Sequence, residues 1–223
     1  MSTFDDFSFA DNPDPRCPVV LVLDTSGSMG ERGPTGEVAI VELNRGLKIL
    51  EAELNQDELA ARRVEVCVIG VGLDVKVIND FVVANAWSAP VLEPVGATPL
   101  GEGLILALDM LDERKKTYKA NGISYYRPWI LLVSDGAPTD DVSLAATRIK
   151  AAEASKSLAF FAVGIDGADM GVLNALGSRS AQQMDGMKFK ELFVWLSASQ
   201  ARVSGSRVGD QVALPSLEGW AVV

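Results

Sequence analysis

The chain has 223 residues, a length that suits one domain with a full hydrophobic core. At 48% hydrophobic and 22% charged it is neither disordered nor fibrous, and 20 basic against 30 acidic residues, a net charge of −10, argue against nucleic acid or an anionic membrane as partner. There is no histidine, which removes Ser-His-Asp and Cys-His nucleophiles, histidine-based zinc sites and imidazole general bases.

Residues 1–16 are acidic and contain proline, with Phe4, Phe7 and Phe9 interspersed, and read as an N-terminal tail that straps onto the domain. They lack a basic and then apolar leader pattern, and no run of about 18 apolar residues follows anywhere, so a cytoplasmic chain without membrane insertion is expected. "PVVLVL", 18–23, is a continuous apolar run of the kind that forms a parallel strand buried on both faces. It ends in "DTSGSMG", where Asp24, Ser26 and Ser28 crowd a strand end and Gly27, lacking a Cβ, lets the loop fold tightly.

Ile40, Leu43, Leu47, Leu50 and Leu54 recur at three and four, which predicts a helix from 36 to about 54. "VEVCVIGVG", 64–72, predicts a second buried strand, and "VKVI", 75–78, pairs with it as a hairpin, giving an antiparallel edge. The Pro- and Gly-rich stretch 88–103 reads as loop, followed by a helix marked by Leu104, Leu108 and Leu111 that runs to about Lys119. "PWILLVSDGAPTD" repeats the opening pattern of apolar strand and acidic turn. A helix over 143–157, the strand "LAFFAVG", a short helix over 169–176 and a last helix over 189–204 complete the domain, 17–204. Residues 205–223 form a C-terminal tail anchored by Trp220. Cys17 and Cys67 fall at the start of one strand and inside another and read as buried small hydrophobes.

Strands alternating with helices imply right-handed crossovers, a mainly parallel sheet covered on both faces, and ligands at the carboxyl ends of the strands. Three such ends carry oxygen ligands: Asp24, Ser26 and Ser28; Thr98 in "GATPLG"; and Asp135 in "SDGAPTD". Hydroxyls with two carboxylates suit a hard cation, Mg²⁺ first, with Mn²⁺ or Ca²⁺ as alternatives. Each piece also has a plain structural reading. Asp24 with its serines and Asp135 before Gly136 are ordinary turn residues, Thr98 before Pro99 is a helix N-cap, Asp140 and Asp141 cap the helix near Ser143, and Asp169 caps the short helix after it.

Other motifs fail on their chemistry. A haloacid-dehalogenase-like phosphatase needs a second acid where Ser26 stands. "GATPLGEG" has the spacing of a phosphate loop, but Glu102 and Gly103 occupy its Lys and Ser/Thr positions. "GVGLDV" starts like a dinucleotide fingerprint but ends in Val75 and leads into a strand.

The five positions Asp24, Ser26, Ser28, Thr98 and Asp135 resemble the metal-ion-dependent adhesion site of von Willebrand factor A domains, and the resemblance covers about residues 18–204. "NGISYYRPWILLVSDGAPTD", "FKELFVWLSASQARVSGS" and "LPSLEGW" are similar to the bacterial tellurite-resistance-associated group of that family. The resemblance implies a von Willebrand A (Rossmann-like) three-layer α/β fold with one antiparallel edge strand. It also implies a nonenzymatic, cytoplasmic module that docks an acidic residue of a partner protein, with serine/threonine phosphatases or kinases of stress signalling among the partners. Within the site it makes Ser26 and Ser28 direct metal ligands and places Asp24 behind them. The residues alone leave two other readings, a metal-dependent phosphoester hydrolase and a purely structural metal.

Overall fold

The computed structural model describes residues 9, 12–33, 36–135, 138–165, 167–218, 220 and 221; Phe4, Phe7, Gly136 and Asp166 lie outside them. Among the described residues six strands form one sheet: β1 (Cys17–Asp24), β2 (Val64–Val71), β3 (Val75–Val83), β4 (Trp129–Ser134), β5 (Ala159–Gly164) and β6 (Gln182–Gln183). Their order is β3-β2-β1-β4-β5-β6. Every pairing is parallel except β2 with β3, the predicted hairpin, and β3 runs five residues beyond the expected 75–78. β1 is central and wholly buried, so it can be apolar at every position.

Among the described residues six α-helices cover the sheet: α1 (Ala39–Gln56), α2 (Glu58–Arg63), α3 (Leu100–Ala120), α4 (Ser143–Ala154), α5 (Met170–Leu176) and α6 (Phe189–Ser204). Strand alternation divides the core between the two faces. Val19, Leu21 and Leu23 of β1 pack with Leu43 and Leu47 of α1 and Phe193 of α6. Val20 and Val22 face Leu104 of α3, Ile149 of α4 and Leu173 of α5. This is the expected three-layer arrangement. α2 and β6 escape the sequence reading because one is six residues long and the other two, too short to show a period.

Both cysteines are unpaired and fully buried, and burial pushes each thiol far above its ordinary range. Under native conditions neither Cys17 nor Cys67 is therefore expected to react with iodoacetamide, and both are expected to be alkylated in denaturant, as read by intact mass.

At the amino ends of β1 and β2 a buried ion cluster closes the core. Arg16 Nε lies 3.0 Å from Glu65 Oε1, and Arg114 Nε lies 2.9 Å from Oε2. Tyr118 OH donates to Oε2 at 2.5 Å; burial, then the Glu65 charge, hold this hydroxyl protonated well above its usual range. Arg16 also donates to the carbonyls of Asp14 (2.8 Å) and Asn12 (2.6 Å), while the Arg16 and Arg114 guanidiniums sit 5.4 and 5.1 Å over the buried Phe9 ring. Phe9 and residues 12–16 are thus held against the domain by charge as well as by ring packing.

Trp220 is buried at the other end of the chain, 5.5 Å from the Trp195 ring of α6, and its carbonyl accepts from Asp185 N–H at 2.9 Å.

Candidate functional site

All five sequence-predicted positions lie at the carboxyl end of the central strands. Asp24 is the last residue of β1 and is wholly buried. Ser26 N–H donates to its Oδ1 (2.8 Å), turning the chain out of the strand, and Ser134 Oγ at the end of β4 donates to its Oδ2 (2.6 Å). Burial raises the Asp24 carboxyl above the ordinary carboxylate range; these hydrogen bonds pull it back and the nearby Asp135 charge adds to the rise.

Ser26 Oγ and Ser28 Oγ are 2.9 Å apart, and Ser28 Oγ donates to Asp135 Oδ2. Asp135 Oδ1 is buried and, among the described residues, has no hydrogen-bond partner. Four of the five residues are therefore joined through hydrogen bonds, although Ser28 and Asp135 stand 107 positions apart.

Thr98 is 5% exposed and sits on the neighbouring loop; its hydroxyl is not part of those bonds. Two backbone bonds bring this loop against the first: Gly27 N–H donates to Gly96 O (3.0 Å) and Val95 N–H to Thr25 O (2.7 Å). The strict glycine requirement falls on Gly96 and not on Gly27 as expected. A Cβ on Gly27 would meet only Gly96 O at 3.5 Å, an ordinary contact. Gly96 has φ +81°, and a Cβ there would lie 2.4 Å from Leu73 Cα.

Two capping expectations change. Pro99, not Thr98, is the N-cap of α3, which leaves the Thr98 side chain free of that task. Asp140 caps α3 and not the helix near Ser143: its carboxylate accepts from Gly101 N–H (2.9 Å) and Glu102 N–H (2.8 Å). Asp141 keeps the expected place, accepting from Ser143 N–H at 2.9 Å, and Asp169 accepts from Val172 N–H at 3.1 Å. With Thr139 N–H on Thr98 O (2.9 Å), the loop after β4 is what holds the Thr98 loop. Asp140→Ala is expected to cost about 1 kcal/mol, read as a fall of about 2–4 °C in melting temperature.

Among the described residues no three His, Cys, Asp or Glu side chains come together, and the donor set at these strand ends consists of the carboxylates of Asp24 and Asp135 and the hydroxyls of Ser26, Ser28 and Thr98. That set fits a hard divalent ion. An octahedral shell with bonds of 2.0–2.1 Å spaces adjacent oxygens about 2.9 Å apart, the spacing of the two serine hydroxyls. Beside Ser28 and Asp135 a cleft of about 240 Å³ opens, walled by Arg32, Ile165 and Met187.

No family model matches the chain, and no curated protein matches it in sequence. Solved structures do. The pilus adhesin SpaC from Lactobacillus rhamnosus GG aligns with TM-score 0.66 at 16% identity, over 84% of this chain and 31% of its own. The VWA domain of SpRpn10 aligns with TM-score 0.53 at 13% identity, over 75% of this chain and 86% of its own. The ArnB paralog VWA2 from Sulfolobus acidocaldarius gives 0.50 at 14%, over 83% and 45%. The chain thus spans less than half the length of SpaC and of the ArnB paralog. With the sheet order and the helices on both faces, these likenesses define the fold as the von Willebrand A three-layer α/β fold.

Among the described residues no helix is long and apolar enough to cross a membrane.

Proposed function

We propose that this chain is a metal-dependent protein-interaction module. Ser26, Ser28, Thr98 and Asp135 hold a divalent cation, Mg²⁺ ahead of Mn²⁺ or Ca²⁺, with Asp24 behind them orienting the loop, and a carboxylate of a partner protein completes the shell. The observation that carries this reading is Asp135 Oδ1, a buried acceptor with no hydrogen-bond partner among the described residues, next to two hydroxyls already at octahedral spacing. The bound ion supplies positive charge and an open coordination position for an anion, in a chain whose net charge of −10 would otherwise repel an acidic partner.

The fold supports an interaction role: SpaC, which shares it, is an adhesin. The sequence resemblance adds cytoplasmic stress signalling of the tellurite-resistance-associated kind, with a serine/threonine phosphatase or kinase as partner. A hydrolase is the less supported reading, since there is no histidine to serve as general base.

Affinity capture from native lysate in Mg²⁺ and in EDTA tests this. The expected result is a protein retained in Mg²⁺ and lost both in EDTA and on Ser26→Ala with Ser28→Ala. Retention unchanged in all three conditions, or Mg²⁺-dependent turnover of phosphoesters by the purified chain, overturns the proposal.

A further inference from the structure

A second built hollow lies away from the metal site, between β5, α6 and the C-terminal segment. Its inner part, about 270 Å³, is walled by Phe161, Trp195 and Trp220; an outer part of about 430 Å³ shares Phe161, Arg179 and Leu214 with it and adds Trp129. The chain has four tryptophans, and three of them stand here in one chain of ring contacts: Trp129 to Phe161 at 4.6 Å, Phe161 to Trp195 at 5.6 Å, and Trp195 to Trp220 at 5.5 Å. Such walls favour a flat apolar body.

The polar atoms of these walls are one-sided. Among the described residues, the buried side-chain atoms left without a hydrogen-bond partner on these walls are Trp220 Nε1 and Arg127 Nε, both donors. Trp195 Nε1, by contrast, is satisfied by Pro215 O at 3.1 Å. An orphaned buried donor is costly, and only an acceptor relieves it.

Charge points the same way. Arg127, Lys156 and Arg179 line the outer part with Asp210, and Glu153 behind them is shared: its carboxylate takes Arg179 Nη1 at 2.9 Å and its carbonyl takes Arg127 Nη2 at 3.2 Å. Three cations against two carboxylates leave one positive charge in surplus, in a chain that is strongly acidic elsewhere. The Arg179 guanidinium also sits 5.0 Å over the Phe161 ring, at the junction of the two parts.

We propose that this hollow binds a small organic anion, an aromatic or branched apolar body bearing one carboxylate or sulfonate. The body lies among Phe161, Trp195 and Trp220, and the anionic group lies between Arg127 and Arg179, where guanidinium forks offer paired N–H donors to the oxygens of a carboxylate or sulfonate. This site is independent of the metal reading and stands or falls without it.

The probe is 1-anilinonaphthalene-8-sulfonate, compared with N-phenyl-1-naphthylamine, which keeps the rings and lacks the sulfonate. Titrated into the full chain under native conditions, the sulfonate is expected to bind saturably at one site and quench tryptophan emission. The neutral compound is expected to bind at least about tenfold more weakly. Arg127→Gln with Arg179→Gln is expected to raise the sulfonate Kd about tenfold or more. Arg127→Gln alone leaves the Arg179–Glu153 pair intact and serves if the double variant loses its near-ultraviolet circular dichroism. Equal affinity for the two probes, unchanged affinity in the folded variants, or no saturation below about 1 mM overturns the proposal.

Discussion

Glu65→Gln is expected to lower stability by about 3–5 kcal/mol, seen as a fall of about 10 °C in melting temperature and an earlier denaturant midpoint. The substitution keeps the shape of the side chain and removes its charge. What remains is Arg16, wholly buried, and Arg114, 10% exposed, both aimed at a neutral amide. Losing one partner of a buried pair costs far more than the pair contributes, because the remaining charge stays out of water. Arg16→Met should for that reason be far less harmful on top of Glu65→Gln than alone, and a double-mutant cycle measures the difference. Lys116→Ala, which breaks only the exposed ion pair with Glu113, should leave the midpoint where it is. A Glu65→Gln variant as stable as the parent would show that water reaches the cluster. The cluster stands at the opposite end of β1 from Asp24, so this loss of stability should leave cation affinity unchanged wherever the variant is folded.

The same strand shows how far the sequence could be read. "VEVCVIGVG" announced a buried strand, and Glu65 was visible in it as a polar residue where apolar ones belong. That signal, a charge inside a buried run, demands a partner, but nothing local says that the partners are Arg16 and Arg114, each 49 positions away. The positions of the proposed cation site were legible for a different reason. In a parallel sheet every strand end on one side faces one crevice, so topology collects Asp24, Ser26, Ser28 and Asp135 once the strands are recognised. The caps were not legible in this way. Asp140 lies three residues before α4 and 39 after Gly101, and only the folded loop decides which helix it caps. Gly96 was hidden likewise, since its need for φ +81° and for close approach to Leu73 arises between loops.

Asp24→Asn is expected to separate the fold's needs from the cation's, with opposite signs. Asparagine keeps both hydrogen bonds, accepting from Ser26 N–H and meeting the Ser134 hydroxyl with its amide. In EDTA the wild-type carboxylate is a burden. Burial first, and the Asp135 charge after it, raise its folded pKa above the unfolded value. A raised carboxyl binds its proton more tightly in the folded state, so its contribution to stability is lost as pH rises from the ordinary carboxylate value through the raised one. Above that window the metal-free variant should be at least as stable as the parent, and below it the advantage should vanish. With saturating Mg²⁺ the order reverses. At one hundred times its dissociation constant an ion stabilises the parent by about 2.7 kcal/mol, or about 5–11 °C in melting temperature, and the variant should gain little of this. Ser26→Ala with Ser28→Ala should also lose the Mg²⁺ response, but without the gain in EDTA, because those hydroxyls carry no buried charge. Thermal unfolding of the three proteins across pH, with EDTA and with Mg²⁺, reads all of these differences. A parent whose melting temperature ignores Mg²⁺, or an Asp24→Asn variant that responds to it fully, would remove Asp24 from any role behind a cation at this end of the sheet.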